Sequence, residues 1–192
     1  MAVAARQLRH WNREEYLKMG DAGVFAPGER VELIEGEIIT MTPQKSPHSA
    51  AVRLVQEALR GLFGAGFDVR PQLPLALGPD SEPEPDCAVV RGSVRDYVES
   101  QPTTAVLAVE VADSTLDFDR GPKGTLYAKG GIPEYWIVNL IDRVLEVYRD
   151  PGPLAPGSSE FAYRSVQRLG PSDSVAPLGG RGGAVRVADL LP

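Results

Sequence analysis

The sequence predicts a single domain that mixes helices and strands, of the α/β or α+β class. Two stretches, residues 12–19 and 46–63, carry the capping residues or the apolar spacing of helices. Residues 105–111 form a nearly continuous apolar run, which is typical of a strand buried on both faces. Residues 134–140 and 144–148 alternate in the manner of paired strands.

The composition fits one folded domain that does not cross a membrane. The chain has 192 residues, and its hydrophobic fraction of 43% is enough to fill a core. No apolar run approaches the roughly 20 residues of a spanning helix, and residues 1–10 lack the apolar stretch of a signal peptide or anchor. The single cysteine, Cys87, excludes an internal disulfide and a cysteine-based zinc site. We therefore expect a cytoplasmic protein.

The net charge of −6 counts against avid, non-specific binding of nucleic acid, because such binding draws on Lys and Arg to neutralise phosphates. It does not exclude that binding, since the distribution of charge matters more than its sum. Acidic residues gathered at a metal site would lower the net charge while the ion neutralised them locally.

The N-terminal part predicts a short helix followed by a hairpin. Asn12 can cap the helix, Glu15 completes a capping box, and the helix should end near Gly20. Residues 31–41 predict two short strands, with a tight turn at residues 35–36 between them.

A second helix is predicted to begin with Ser46 as its cap and Pro47 as its first residue, and to end at Gly64. Its apolar face has helical spacing and comprises Val52, Val55, Leu59, Leu62 and Phe63. Residues 67–77 predict a strand, and an acidic, proline-rich loop follows at residues 78–85.

The central part alternates strands with one short helix. Residues 87–90 predict a strand, and residues 113–121 predict a loop after the apolar run. Pro122 is placed to start a short helix that ends at residues 130–131. Residues 142–143 should form the turn between the two alternating strands.

The C-terminal part predicts a loop at residues 151–159, an edge strand at 161–169, irregular chain at 170–183 and a helical turn at 187–191. No internal repeat or second domain is apparent. We divide the single domain into an N-terminal helical segment, a core and a C-terminal extension of strand and loop, at residues 1–30, 31–150 and 151–192.

Two carboxylates stand out because they border apolar strands. Glu110 lies inside the apolar run, where an unpaired carboxylate is costly unless a cation, a basic side chain or exposure at the strand end relieves it. Asp86 directly precedes another apolar strand, and its alternative role is that of a turn residue ending the acidic loop. On neighbouring central strands, the two would form an oxygen-rich site that suits Mg²⁺ or Mn²⁺.

Lys123 falls in the first turn of the predicted short helix. The helix dipole opposes a cation there by about 0.3–1 kcal/mol unless a carboxylate or phosphate lies close. The alternatives are a solvated lysine or an ion pair with Asp119. Tyr127, four residues later, shares its face of the helix.

These residues resemble a known nuclease motif. Pro85-Asp86, Glu110 with Val111, and Lys123 are similar to the PD-(D/E)XK nuclease superfamily, and more closely to its Uma-type family of restriction-endonuclease-like proteins. The resemblance covers residues 31–148 and is carried by Pro47-His48, VELIEGEI (31–38), EPDCAVV (84–90), AVEVADST (108–115) and DRGPKGTLYAKGGIPEYWIVN (119–139).

The resemblance implies a restriction-endonuclease-like central mixed sheet flanked by helices. It also implies a catalytic set of Glu32, Asp86, Glu110 and Lys123, with Mg²⁺ or Mn²⁺ held by Asp86, Glu110 and the Val111 carbonyl. His48 would touch a phosphate or orient Glu32, and Tyr127 would take part in substrate binding. The superfamily's lysine usually stands two residues after the acidic residue, where this chain has Ala112, so Lys123 would act from the following helix.

Two functions remain open at this point. The first is metal-dependent hydrolysis of phosphodiester bonds, with DNA as the substrate that the resemblance implies. The second is a non-enzymatic, dimeric binding or assembly module with a degenerate nuclease site. Ala112 and the acidic net charge favour the second function, whereas the carboxylate and lysine set favours the first. In either case we expect a homodimer, paired across a two-fold axis through one of two candidate exposed edges, residues 144–148 or 161–169.

Overall fold

The structure is a computed structural model that describes residues 8–192. Its first element is helix α1 (Arg13–Asp21). The Asn12 side chain accepts a hydrogen bond from the Glu15 amide, and the Glu15 side chain accepts one from the Asn12 amide, which confirms the predicted capping box. Residues 1–7 lie outside the described residues, so the prediction that the chain start is neither signal peptide nor anchor stays a prediction.

The predicted hairpin is confirmed as strands β1 (Val31–Ile34) and β2 (Glu37–Thr40), which pair antiparallel. Glu35 and Gly36 form its turn with φ values of 47° and 84°. Both residues of a tight type I′ turn need positive φ, which glycine adopts without a steric penalty.

Helix α2 (Ser46–Phe63) packs on the sheet through Ala51, Val52, Val55, Leu59 and Phe63. The predicted cap is wrong by one residue, since Lys45 takes the N-cap position without a side-chain hydrogen bond and Ser46 lies in the first turn. The predicted end at Gly64 is confirmed, and its φ of 65° suits a glycine.

A six-stranded mixed sheet forms the centre of the fold, in the order β3-β4-β5-β6-β7-β8. Neighbouring strands are antiparallel except β5 and β6, which are parallel. The strands are β3 (Phe67–Arg70), β4 (Cys87–Arg91), β5 (Leu107–Ala112), β6 (Glu134–Asn139), β7 (Val144–Pro153) and β8 (Phe161–Leu169). The predicted mixed sheet is therefore confirmed.

The prediction of one strand over residues 67–77 is wrong in its length, because β3 ends at Arg70. Pro71 and Pro74 have no backbone N–H to donate to a ladder, and Gln72 adopts a positive φ of 50°. The chain nevertheless keeps the register of β3 with β4, since the Gln72 amide donates to the Asp86 carbonyl.

The prediction that Pro122 begins a helix is also wrong. Helix α3 (Leu116–Phe118) starts earlier and runs through a π-helical turn (Asp119–Lys123) into helix α4 (Gly124–Lys129). Pro122 cannot donate a hydrogen bond to the preceding turn, and the wider π-helical turn accommodates it inside the helix. Lys123 consequently does not lie in a first turn, and its predicted conflict with the helix dipole does not arise.

The C-terminal part follows its predictions with three corrections, one of which is that a two-residue strand, Ser174–Val175, lies inside the stretch 170–183 predicted to be irregular. Strand β7 continues to Pro153, so the predicted loop at 151–159 begins too early. Strand β7 also lies between β6 and β8, which makes the prediction of residues 144–148 as an exposed edge wrong, whereas β8 is an edge strand as predicted. Two-residue strands β9 (Ser174–Val175) and β10 (Val185–Arg186) pair with each other, and the predicted last helical turn is present at Val187–Leu190.

The core lies on both faces of the sheet. Val109 and Trp136 pack on the α2 side, whereas Ala108 and Ala112 pack with Tyr127 on the α4 side. Because side chains alternate along a strand, Glu110 shares the face of the two alanines and is directed towards α4. Within residues 8–192, no helix is both long and apolar enough to span a membrane.

Candidate active site

Three carboxylates predicted from the sequence meet in one cleft, although they come from separate elements. Glu32 lies in β1, Asp86 immediately precedes β4, and Glu110 lies in β5. Their exposed fractions are only 3%, 7% and 3%, and all three line the same cleft. Asp86 and Glu110 therefore lie on the same side of the sheet, joined by a hydrogen bond of 3.2 Å from the Asp86 amide to Oε2 of Glu110.

Lys123 joins this cluster from the π-helical turn. Its Nζ lies 2.9 Å from Oε1 of Glu110 and 3.2 Å from Oε2 of Glu32, and the residue is only 4% exposed. Burial lowers the pKa of the Lys123 amine, but the surrounding carboxylates outweigh it, and the net pKa is raised. Both alternatives from the sequence are therefore wrong: the lysine is buried rather than solvated, and its ion pairs are with Glu110 and Glu32 rather than with Asp119.

Glu110 receives hydrogen bonds on both of its oxygens. Oε1 accepts from Lys123 and, at 2.6 Å, from the hydroxyl of Tyr127, and Oε2 accepts from the Asp86 amide. Burial raises the pKa of Glu110 above its usual value, while the attraction of Lys123, 2.9 Å away, opposes this rise and favours the charged form. Tyr127 is fully buried and is not among the residues that line the cleft. Its hydroxyl contacts Glu110, and a contact with substrate stays a prediction.

Asp86 is oriented from three directions. Its Oδ2 accepts from the Val111 amide at 2.9 Å and lies 3.1 Å from Nε2 of His48, and its Oδ1 accepts from Nε2 of Gln72 at 3.2 Å. Burial raises the pKa of Asp86, but His48, the Val111 amide and Lys123 together lower it below its usual value. Asp86 is thus held as a carboxylate. A ligand role for the Val111 carbonyl stays a prediction.

His48 lies in the first turn of α2 and contacts Asp86 rather than Glu32. Its Nδ1 is buried without a hydrogen-bond partner among the described residues. Burial lowers the pKa of His48, but the adjacent Asp86 carboxylate, together with Asp113 and Asp119, outweighs this effect, and the net pKa is raised. The prediction that His48 orients Glu32 is therefore wrong, since the carboxylate that His48 orients is that of Asp86. A contact between His48 and a phosphate stays a prediction.

Sequence reasoning missed two residues of this site. Asp119 is a fourth buried carboxylate in the cleft, and its Oδ2 accepts a hydrogen bond of 2.6 Å from Thr115. The sequence indicated Asp119 only as an alternative ion-pair partner of Lys123, although its position four residues before the lysine was a usable signal. Gln72, which contacts Asp86, lies in a segment predicted as plain strand.

A divalent cation fits the donor chemistry of the cleft. The described part of the chain has no group of three or more His, Cys, Asp or Glu side chains already arranged around an ion position. However, the cleft gathers four buried carboxyl groups and three basic side chains, those of Arg30, His48 and Lys123, and burial raises the pKa of Asp119 to about 6. Oxygen donors of this kind suit Mg²⁺ or Mn²⁺. The four buried carboxyl groups of the cleft belong to Glu32, Asp86, Glu110 and Asp119.

The central mixed sheet, its flanking helices and the cluster of carboxylates with one lysine define the restriction-endonuclease-like class. Residues 13–177 match the sequence profile of the family described as "Uma2: Putative restriction endonuclease". The chain belongs to the Uma2 family, which confirms the resemblance found in the sequence.

A solved structure supports the same fold. It is the crystal structure of a "putative nuclease belonging to DUF820 from Anabaena variabilis", and it superposes with a TM-score of 0.67 at 18% sequence identity. The match covers 92% of this chain and 95% of the other chain, and at this identity it shows the likeness of fold. A search of curated proteins found no match.

Proposed function

We propose that this protein is a metal-dependent endonuclease that hydrolyses phosphodiester bonds in DNA. One observation carries the proposal: Glu32, Asp86, Glu110 and Lys123 come from four separate parts of the chain and meet in one cleft, with the lysine amine 2.9 Å from Glu110. Placing a buried amine among several carboxylates is costly for a merely structural cluster. Perturbed groups of this kind concentrate at functional sites.

Asp86, Glu110 and the Val111 carbonyl are the proposed ligands of Mg²⁺ or Mn²⁺. When bound, the ion would polarise the scissile phosphate and lower the pKa of a bound water. Asp86 contributes an oriented carboxylate, because the Val111 amide and His48 hold Oδ2 in place. Glu110 contributes a second carboxylate, which Tyr127 keeps from rotating.

Lys123 is the proposed stabiliser of charge on the phosphate. Its ammonium group rests between Glu110 and Glu32, so a fixed positive charge is already at the site before substrate binds. A preorganised charge requires little rearrangement during the reaction, which makes it more effective than a solvated one. Glu32 holds the lysine from the β1 side, and it accepts a hydrogen bond of 3.2 Å from the Glu84 amide.

The choice of DNA, the homodimer and the cytoplasm are further parts of the proposal. DNA is supported by the description of the family as restriction endonucleases. A homodimer is supported by the nine-residue edge strand β8, which can pair with its own copy across a two-fold axis. The cytoplasm is supported by Cys87, a buried free thiol of the kind usual in reducing compartments.

A plasmid-nicking assay tests the proposal. The purified protein is incubated with supercoiled DNA and Mg²⁺ or Mn²⁺, and then with a chelator. We expect metal-dependent conversion to open-circular or linear DNA, and its loss in Asp86→Asn and Glu110→Gln. Asp21→Asn and Glu57→Gln make the same chemical changes at exposed positions and should retain activity.

The outcome also separates the two functions left open by the sequence. Ala112, at the usual position of the superfamily's lysine, is buried in the core and supplies no amine. Lys123 is the only lysine among the residues that line the described cleft. If no DNA is cut with either ion, or if the Asp86 and Glu110 variants cut as well as the unmodified protein, the nuclease proposal is wrong. A non-enzymatic binding module would then be favoured.

A further inference from the structure

Gln72 faces Asp86 directly across an extension of the β3–β4 hairpin. Arg70 pairs with Ala88 at the end of the ladder, and the same register continued by two residues brings Gln72 opposite Asp86. Residues directly opposite each other on an antiparallel pair are close neighbours on one face. The chain keeps this register further on, where the Leu75 amide donates to the Pro83 carbonyl at 2.9 Å.

Gln72 contacts Asp86 twice. Its backbone amide donates to the Asp86 carbonyl at 3.2 Å, and its side-chain Nε2 donates to Oδ1 of Asp86, also at 3.2 Å. The Val111 amide and His48 hold only Oδ2. The side-chain amide of Gln72 is therefore the described hydrogen-bond donor to Oδ1. Without it, the Asp86 carboxylate would be held through Oδ2 alone.

The backbone of Gln72 is strained in order to make these contacts. Its φ of 50° lies in the left-handed region, which costs free energy for a residue with a side chain. It stands between Pro71 and Pro74, whose rings limit the conformations of this segment. Strain of this kind persists where the surrounding structure enforces it, and it is found disproportionately at functional sites.

We propose that Gln72 is a positioning residue that fixes the Asp86 carboxylate for the reaction, an inference that rests on the proposed function. It acts through Asp86 and does not touch the substrate. Residues that orient a metal-binding carboxylate in this way typically change activity by about 10- to 100-fold when they are replaced. A glutamine that merely satisfied a buried carboxylate would affect the stability of the protein without a separate effect on turnover.

The test compares Gln72→Ala with Gln72→Gly. Both variants remove the side-chain amide and keep the backbone amide, but only glycine removes the strain of the positive φ. We expect kcat for plasmid nicking to fall about 10-fold or more in both, with an unchanged KM for DNA. We also expect Tm to be higher in Gln72→Gly than in Gln72→Ala, so that activity and stability separate.

Arg143 offers a matched control. It has a positive φ of 54° in the turn between β6 and β7, away from the residues that line the cleft. Arg143→Gly should have a higher Tm than Arg143→Ala, and neither should change kcat. For Gln72, an unchanged kcat, or a kcat that rises and falls with Tm across the two variants, would overturn the positioning role.

A double-mutant cycle keeps this inference distinct from the nuclease proposal. Gln72→Ala, Asp86→Ala and their combination are compared by denaturant unfolding without metal. We expect non-additive effects, because removing Asp86 leaves the Gln72 amide with nothing to orient. If the unmodified protein cuts no DNA, the proposed function fails while non-additivity still supports the fixing of Asp86. Additive effects would overturn the inference whether or not the protein is a nuclease.

Discussion

The amine of Lys123 lies 2.9 Å from Oε1 of Glu110, and both residues are almost completely buried. This contact explains how a carboxylate can occupy the middle of an apolar strand, since a buried charge needs a partner of opposite sign. The same contact explains why a lysine is buried in the middle of a helix. Each residue is thus a condition for burying the other.

The first prediction concerns Lys123→Met, which removes the amine and keeps most of the side-chain volume. We expect nicking to fall by a factor of about 10² or more, because a preorganised charge is lost. Glu110 and Glu32 would be left without their cation, so the free energy of unfolding should fall by about 3 kcal/mol. Plasmid assays and denaturant unfolding measure the two effects.

Lys129→Met is the control for this prediction. Lys129 also forms an ion pair, at 2.8 Å with Glu35, but both side chains are about half exposed and the pair should contribute little. Stability and nicking should therefore change little. If Lys123→Met nicks DNA as well as the unmodified protein, the lysine is not the charge stabiliser, and the role proposed for it is wrong.

The second prediction concerns metal binding. Mg²⁺ or Mn²⁺ should raise Tm, because a ligand that binds the native state stabilises it by mass action. Asp86→Asn should remove most of this increase, whereas Asp21→Asn at an exposed position should retain it. Thermal unfolding over a series of ion concentrations measures the shift. An equal increase in Asp86→Asn would mean that the ions bind elsewhere.

Two carboxylates of the site, Asp86 and Glu110, could be predicted from the sequence alone because they conflict with their apolar surroundings. Glu110 interrupts an apolar run and Asp86 borders one, so local chemistry alone indicates a polar site, and the family resemblance adds Glu32 and Lys123. The hairpin at Glu35-Gly36 was equally predictable, because its turn requires residues that tolerate positive φ.

The π-helical turn could not be predicted in the same way. A proline is favoured at the first position of a helix, so Pro122 indicated a start where the helix in fact continues. The extra turn is held by tertiary contacts that local sequence does not reveal. Arg120 bonds to Glu146 in β7, and the Tyr135 hydroxyl donates to the Asp119 carbonyl at 3.0 Å. Gln72 was missed for a related reason, since its partner depends on the register of a hairpin interrupted by prolines.

The third prediction concerns the homodimer. Val166 lies in the edge strand β8 and is 56% exposed, so a charge there should block edge-to-edge pairing. We expect a dimer by light scattering at micromolar concentration, and a monomer for Val166→Lys. Val24→Lys changes an exposed valine outside the strands and should remain dimeric. A monomeric unmodified protein would contradict the homodimer without bearing on catalysis.

The fourth prediction concerns acid stability and the anchor of the π-helical turn. The Glu146 carboxylate accepts hydrogen bonds from Arg120 Nε at 3.0 Å, from Asn139 at 3.0 Å and from the Tyr148 hydroxyl at 2.8 Å. Burial raises the pKa of Glu146, but these partners outweigh it and lower the net pKa below its usual value. A lowered pKa in the folded state means that the carboxylate stabilises the protein above its unfolded pKa of about 4.3.

Glu146→Gln should therefore lower the free energy of unfolding most at pH 7. The difference from the unmodified protein should shrink as the pH falls below about 4, because the native carboxylate is then protonated as well. Glu57→Gln, at an exposed position, should show no such dependence. Arg120 and Lys123 lie in the same π-helical turn. Because Glu146→Gln weakens the contact that holds Arg120, it should also disturb Lys123 and reduce nicking at pH 7. A stability difference that stayed constant from pH 7 to pH 3 would mean that Glu146 acts through its shape rather than its charge.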